Sequence, residues 1–160
     1  MPSFKVQNPH FEADVRKSFS GQSFMTTIGA ELSCISAGAV EISLPFRDDL
    51  LQHHSYLHGA VVAAVVDTAC GYSALTLMPP ESTVLTVEYK INFMSPARGS
   101  AIVARGQVVK PGRNLTVCSG EAVTIAGGTE KAVAVLTATM VRVSGGPRRP
   151  PPLQSPMENP

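Results

Sequence analysis

Leu57 to Met78, LHGAVVAAVVDTACGYSALTLM, is the stretch that most constrains how this chain can fold. It is apolar on nearly every face, and its length and its Ala, Val and Leu fit a helix better than a strand. A helix that is hydrophobic all round is buried all round, so a sheet must wrap it. One carboxylate, Asp67, stands in its middle. An ionised Asp there costs several kcal/mol unless something compensates it, which makes Asp67 the first candidate functional residue. Three plainer explanations compete. A membrane span needs about 20 predominantly apolar residues; Asp67, Thr68 and Ser73 dilute this stretch, and no Lys or Arg lies close on either flank to orient it. A structural Asp that caps or pairs is the commoner explanation of a single buried carboxylate. A solvent-facing Asp is the weakest, because Ala63, Ala64, Val65 and Val66 leave no polar stripe for it to join.

Around this helix the chain alternates short β-type runs with turn chemistry. Phe11, Val15 and Phe19 recur at helical spacing and predict a short amphipathic helix over 9–19, with Asn8 as N-cap, Pro9 at the first position and Gly21 as the stop. Ala30 to Ser36 and Ala39 to Leu44 alternate apolar and polar residues about Ala37-Gly38, which predicts a hairpin. Pro45 ends its second strand, and a polar loop, Arg47 to Tyr56, leads to the central helix. Pro79-Pro80 stops that helix. Four further strands follow, at 83–93, 101–109, 115–125 and 131–143, separated by Pro96 to Gly99, Pro111 to Asn114 and Gly127-Gly128. Loops this short predict antiparallel neighbours. The fold class is therefore α+β: a curved antiparallel sheet of five to six strands around a long central helix. One helix cannot cover both faces of such a sheet, so a second chain is expected against a face or an edge.

The chain has 160 residues, enough for one domain with a real core. We divide it into an N-terminal segment, 1–22, a domain at 23–143, and a Pro-rich tail, 144–160, too poor in apolar side chains to pack. A formal net charge of +1 points to neither nucleic acid nor an anionic membrane surface. Cys34, Cys70 and Cys118 have no CxxC spacing and read as reduced, small hydrophobes. With no apolar run for a signal peptide in the first twenty residues, a cytoplasmic protein is expected.

His58-Gly59-Ala60 stands where the long helix begins. The first amides of a helix have no internal acceptor and carry partial positive charge, so they can hold a carbonyl oxygen and stabilise an oxyanion. Gly59 lets a ligand atom come close to its N–H. Asp67 is nine positions beyond His58, roughly 13 Å along the axis, too far for both to serve one reacting carbon, which needs each within about 3 to 3.5 Å. Two copies of the helix running antiparallel across a twofold axis remove the difficulty: each Gly59 end then faces the other's Asp67. Small residues Ala63, Ala64, Ala69, Gly71 and Ala74 would allow elements to approach closely.

LHGAVVAAVVDTACGYSA, with QHH upstream and VLTVEYKINFMSPARG downstream, resembles the PaaI-type acyl-CoA thioesterases of the hotdog-fold superfamily, over roughly 19–143. The resemblance implies hydrolysis of acyl-CoA thioesters without metal or cofactor, in a homodimer or a homotetramer built as a dimer of dimers. It implies that the Gly59 amide polarises the carbonyl and that Asp67 of the other subunit acts as general base or nucleophile. It implies that Gln52 places the thioester or the water, that Thr86 assists Asp67, and that His58 orients the loop and its amides. For binding it implies the turn containing Lys110, Gly112 and Arg113 near the CoA phosphates; beside it, His54 is read as a loop residue lining the pocket mouth and Ala60 as a binding position at the helix start. Two positions depart from the family pattern: Ala60 replaces the second glycine of a common HGG, and Gln52 replaces the Asn of many members.

Other chemistries fit less well. His53, His54 and His58 lack a fourth metal partner. Cys70 has nothing near it in sequence to activate a thiolate. Tyr72 and Tyr89 read as packing, and Glu88 and Lys90 as an exposed or interface face. A Ser-His-Asp hydrolase would need a GxSxG elbow, and a hotdog dehydratase would use His as base. The non-enzymatic alternative is a hotdog dimer that binds acyl-CoA or another apolar ligand without cleaving it.

Overall fold

The structure, a computed structural model, describes residues 4–144. Six strands form one antiparallel sheet: β1 (Glu31–Ser36), β2 (Ala39–Pro45), β3 (Ser82–Phe93), β4 (Ala101–Lys110), β5 (Leu115–Ala126) and β6 (Thr129–Ser144), in the order β1-β2-β4-β5-β6-β3. Three α-helices accompany it: α1 (Phe11–Ser20), α2 (Ser23–Ile28) and α3 (Gly59–Leu75). The Pro-rich tail lies outside the described residues except for Ser144, which ends β6.

The sheet curls around α3. Val40, Ile42 and Leu44 of β2, Ile102 and Ala104 of β4, Cys118 and Ala122 of β5, and Ala138 and Met140 of β6 are buried on its inner side, against Val62, Val65, Val66, Ala69 and Cys70 of α3. Helix and sheet approach closely because Gly106 of β4 has no side chain: a Cβ there would collide with the backbone of Ala69 and Cys70. Part of the small-residue set in α3 thus serves the sheet of its own chain.

Three expectations about the helices need correction. The long helix occupies 59–75, not 57–78; backbone hydrogen bonds from Leu57 to Ala97 and from His58 to Leu50 hold its start in extended conformation. Helix α3 is not buried all round: Ala60 is exposed, Val61, Ala64, Asp67, Thr68 and Leu75 are half-buried, and these positions form one stripe the sheet leaves uncovered. Asp67 lies on that stripe. Helix α1 begins at Phe11 because the Asn8 side chain accepts from the His10 amide (2.9 Å), making a turn before the helix rather than a cap on it. Helix α2 is unforeseen; six residues closed by Gly29 at φ 77° are too few to show a period.

The largest correction is topological. β3 and β4 are consecutive and joined by a short loop, yet they are not neighbours: β3 pairs with β6 and forms one edge of the sheet. Residues 94–100 pass the ends of the two intervening strands, with Met94 N donating to Val133 O of β6 (2.7 Å) and Ser100 N to Ile125 O of β5 (2.8 Å). Seven residues can reach about 23 Å, against about 14 Å for three strand spacings, so loop length did not exclude this crossing.

Candidate active site

Two half-sites border α3, one at its start and one near its middle. At the start, His58 caps the helix: its Nδ1 accepts from Ala60 N (3.1 Å), and its carbonyl accepts from Val61 N (3.0 Å) and Val62 N (3.3 Å). Of the first four amides, Gly59 N–H is the one with no acceptor among the described residues. Gly59 lines a hollow of about 370 Å³ together with Gln52, Tyr56, Val62, Phe93 and Pro96. The Phe93 ring lies over Gly59, so that a Cβ built there would stand 3.3 Å from Phe93 Cζ. Gln52 enters the hollow half-buried, with its Oε1 accepting from His54 N (2.9 Å).

Two expected binding residues are not part of this hollow. His54 is exposed and turned onto His53, ring centroids 3.9 Å apart, and Ala60 is exposed with its amide already taken by His58.

Two turns further along, Asp67 stands half-buried, and Thr86 Oγ1 of β3 donates to its Oδ1 at 2.8 Å. The same hydroxyl lies 3.5 Å from Met140 Sδ on β6. Burial pushes the Asp67 carboxyl above the usual carboxylate range, and the Thr86 hydrogen bond opposes that shift. No ion pair to Asp67 exists among the described residues. Asp67 opens into a cleft of about 580 Å³ between α3, β3 and α1, with Phe11, Ser18, Gly71, Tyr72 and Val84 among its walls. Sequence reasoning missed the α1 side of this cleft and the Phe93 and Met140 contacts, because only the folded chain brings those elements together. Tyr72 packs on Phe19 (ring centroids 5.8 Å) while its hydroxyl meets Ser18 Oγ (3.2 Å) and Gln22 Nε2 (2.7 Å). Tyr89, expected to pack, is 44% exposed on the edge strand.

The two half-sites are separate in one chain, about 12 Å apart along the helix axis. The turn after β4 lies toward the Asp67 end: Leu115, Val141 and Leu85 are in register across β5, β6 and β3. That puts the turn that holds Lys110, Gly112 and Arg113 two to three strand spacings, about 10 to 14 Å, from the Thr86 region. All three are exposed, and Gly112 is required locally, since a Cβ would collide with the Leu115 carbonyl.

Burial raises the Cys70 thiol far out of the neutral range and pushes Cys118 up to about 11, so neither is a thiolate nucleophile at neutral pH. Among the described residues no three His, Cys, Asp or Glu side chains are grouped to hold a metal ion, and no helix is long and apolar enough to cross a membrane.

The Thioesterase superfamily profile matches residues 54–131, which include Gly59 and both Asp67 and Thr86. The crystal structure of a thioesterase family protein from Silicibacter pomeroyi is similar at 44% identity and a TM-score of 0.83, covering 84% of this chain and 99% of that one. The PaaI protein of the Escherichia coli phenylacetic acid degradation operon shares the fold at 18% identity and a TM-score of 0.78, covering 87% of this chain and 97% of that one. A Thermoplasma acidophilum protein named provisionally as an esterase is 29% identical over 104 residues, 64% of this chain and 76% of its own.

Proposed function

This chain belongs to the thioesterase family and is a hydrolase of hotdog fold, and from that premise we propose that it cleaves acyl-CoA thioesters to the free acid and CoA at a site built from two copies. In this mechanism the Gly59 amide of one copy holds the thioester carbonyl oxygen. Asp67 of the other copy, steadied by Thr86, takes a proton from water as that water attacks the carbonyl carbon, or attacks the carbon itself. The negative charge that develops on oxygen is stabilised at Gly59 N–H. Collapse breaks the C–S bond; in the general-base route the CoA thiolate takes the proton that Asp67 drew from water, and in the nucleophilic route water then hydrolyses the anhydride left on Asp67, giving one proton to the thiolate and releasing the free acid with the carboxylate restored. His58 positions the donor by fixing the neighbouring amide, and Gln52 orients the thioester or the water. Lys110 and Arg113, on the turn that Gly112 shapes, meet the CoA phosphates as exposed cations. The catalytic unit is 23–143, to which segment 1–22 adds the wall of the cleft. The protein works in the cytoplasm, where its free thiols stay reduced.

The observation that carries this proposal is that both half-sites border one unpaired edge. Strand β3 holds Thr86 against Asp67 near one end and Phe93 against Gly59 at the other. Among the described residues it pairs only with β6, and it exposes Leu85, Val87, Tyr89 and Phe93. An apolar strand edge of this kind invites a partner strand. Antiparallel pairing of β3 with β3 of a second copy sets the Phe93 end of each beside the Thr86 end of the other. That twofold arrangement supplies both halves twice, in a dimer or in a tetramer of two such dimers.

Gly59→Pro tests the donor, with Gly59→Ala as its control for the Cβ that presses on the Phe93 ring at 3.3 Å. Gly59 is the first helical residue, where proline is tolerated, and His58 before it already has φ −63° and ψ 133° as a pre-proline residue requires. The variant removes an N–H that bonds to nothing in the described chain. Loss of one such donor lowers kcat by about 10²–10³, read as thiol release from a panel of acyl-CoAs. Asp67→Asn should be inactive in the same assay. Co-folding the two variants in equal amounts restores about one quarter of wild-type activity, because half the dimers are mixed and each mixed dimer has one intact site of two. A mixed dimer with no activity would overturn the two-copy site, and wild type that releases no thiol from any acyl-CoA would overturn the substrate.

A further inference from the structure

We propose that Gly71 sets the size of the acyl group this enzyme accepts, and that the fitting substrates carry a medium-length acyl chain; the inference rests on the thioesterase reading above. Gly71 is inside α3, where glycine is a poor helix former because it surrenders more backbone freedom than any other residue. Packing within the chain does not demand it. A Cβ at Gly71 would meet only Val84 Cγ1, at 3.8 Å, an ordinary contact. The contrast is Gly106, where a Cβ would run into helix backbone.

What Gly71 does adjoin is the Asp67 cleft. It lies four residues beyond Asp67, hence on the same face and one turn along, and it lines the same space with Tyr72, Leu75, Phe11 and Val84. A bare backbone there leaves room for an occupant that starts at the carboxylate and runs along the helix. The methyl of an acetyl group, bonded at the reacting carbon, stops short of Gly71, whereas a six-carbon acyl chain, with five carbons beyond the reacting one, spans the helical turn of about 5.4 Å and passes over it. The rest of the cleft lining is polar: the hydrogen-bonded trio of Tyr72, Ser18 and Gln22 stands there with Asp14, Lys17 and Glu81, so the apolar part around Gly71 is short. An acyl chain long enough to reach that trio would have to bury its methyl end against them, which sets the upper limit.

The test is thiol release from acetyl-CoA and hexanoyl-CoA by wild type, Gly71→Ala and Gly71→Val. Wild type should prefer hexanoyl-CoA. Gly71→Ala should keep kcat/KM for acetyl-CoA within about twofold and lose about tenfold or more for hexanoyl-CoA through KM, the discrimination one methyl group provides in an apolar pocket. Gly71→Val should widen the gap, and the thermal midpoint of Gly71→Ala should match or exceed that of wild type. An equal loss on both substrates, or no loss on hexanoyl-CoA, overturns the inference while leaving the thioesterase reading intact. Dissociation of the Gly71→Ala oligomer in sedimentation also overturns it, by assigning the glycine to contact between copies. Wild type that cleaves neither these nor any other acyl-CoA overturns the thioesterase reading and the inference with it.

Discussion

Thr86→Val keeps the outline of the side chain and deletes one O–H, so it isolates what that hydroxyl does for Asp67. In the structure the hydroxyl donates to Asp67 Oδ1 at 2.8 Å. A hydrogen bond to a charged group contributes about 1.5–3 kcal/mol. Thr86 is exposed and Asp67 half-buried, so water replaces part of the lost bond. The Met140 sulfur, 3.5 Å from the hydroxyl, offers its proton another acceptor once Asp67 is neutral. Both effects hold the net figure to the low end, about 1.4 kcal/mol, which is about one pH unit. The direction follows from which form the bond favours. It stabilises the carboxylate, so deleting it raises the Asp67 pKa further above its ordinary value, in the sense burial already pushes it. The assay is kcat/KM for one acyl-CoA from about pH 4 to about pH 9, where the acid limb reports the base of the free enzyme. The limb of Thr86→Val should move up by about one unit, with most of the wild-type rate regained on the alkaline side. A limb that stays in place or moves down would refute the link between hydroxyl and carboxylate. A loss uniform across pH would assign Thr86 to substrate binding instead.

Asp67→Asn, expected to lose activity, should be the more stable protein. The folded pKa of Asp67 is raised above the value of 3.8 expected for an unperturbed Asp, so the folded chain holds the proton more tightly and ionisation weakens the fold. This penalty is absent below pH 3.8 and complete above the folded pKa. Urea unfolding should therefore favour the variant at about pH 8 and lose that advantage as pH falls. Gly106→Ala should cost about 3 kcal/mol in the same measurement, because the new methyl meets the Ala69 and Cys70 backbone with no flexible side chain to yield.

Much of this architecture is legible in the sequence, because the features that specify it are local. The alternation of Val40, Ile42 and Leu44, the turn glycines and the unbroken apolar run after Gly59 each fix an element by its own period. What local pattern does not contain is the choice of neighbour. The seven residues between β3 and β4 suit a hairpin, and they equally suit the observed crossing past β6 and β5. The pairing of Asp67 with Thr86 is nineteen positions apart in the chain and entered the sequence analysis only through family resemblance. The wall that α1 adds to the cleft was not legible as such, since Phe11, Val15 and Phe19 mark one apolar face without saying which element Phe11 meets. The uncovered stripe on α3 was hidden for a related reason: Ala60, Val61, Ala64 and Leu75 are as apolar as the residues that the sheet buries, and composition does not distinguish a face awaiting a partner from a face already covered. The topological error and the proposed function meet at the same strand. Had β3 paired with β4 as loop length suggests, both of its backbone edges could have been used within one chain, and the groups beside Thr86 and Phe93 would have had no free edge between them. As the outermost strand among the described residues, β3 keeps one edge open, with Thr86 beside Asp67 and Phe93 over Gly59 along it. The arrangement that loop length alone does not predict is thus the one on which the proposed two-copy site depends.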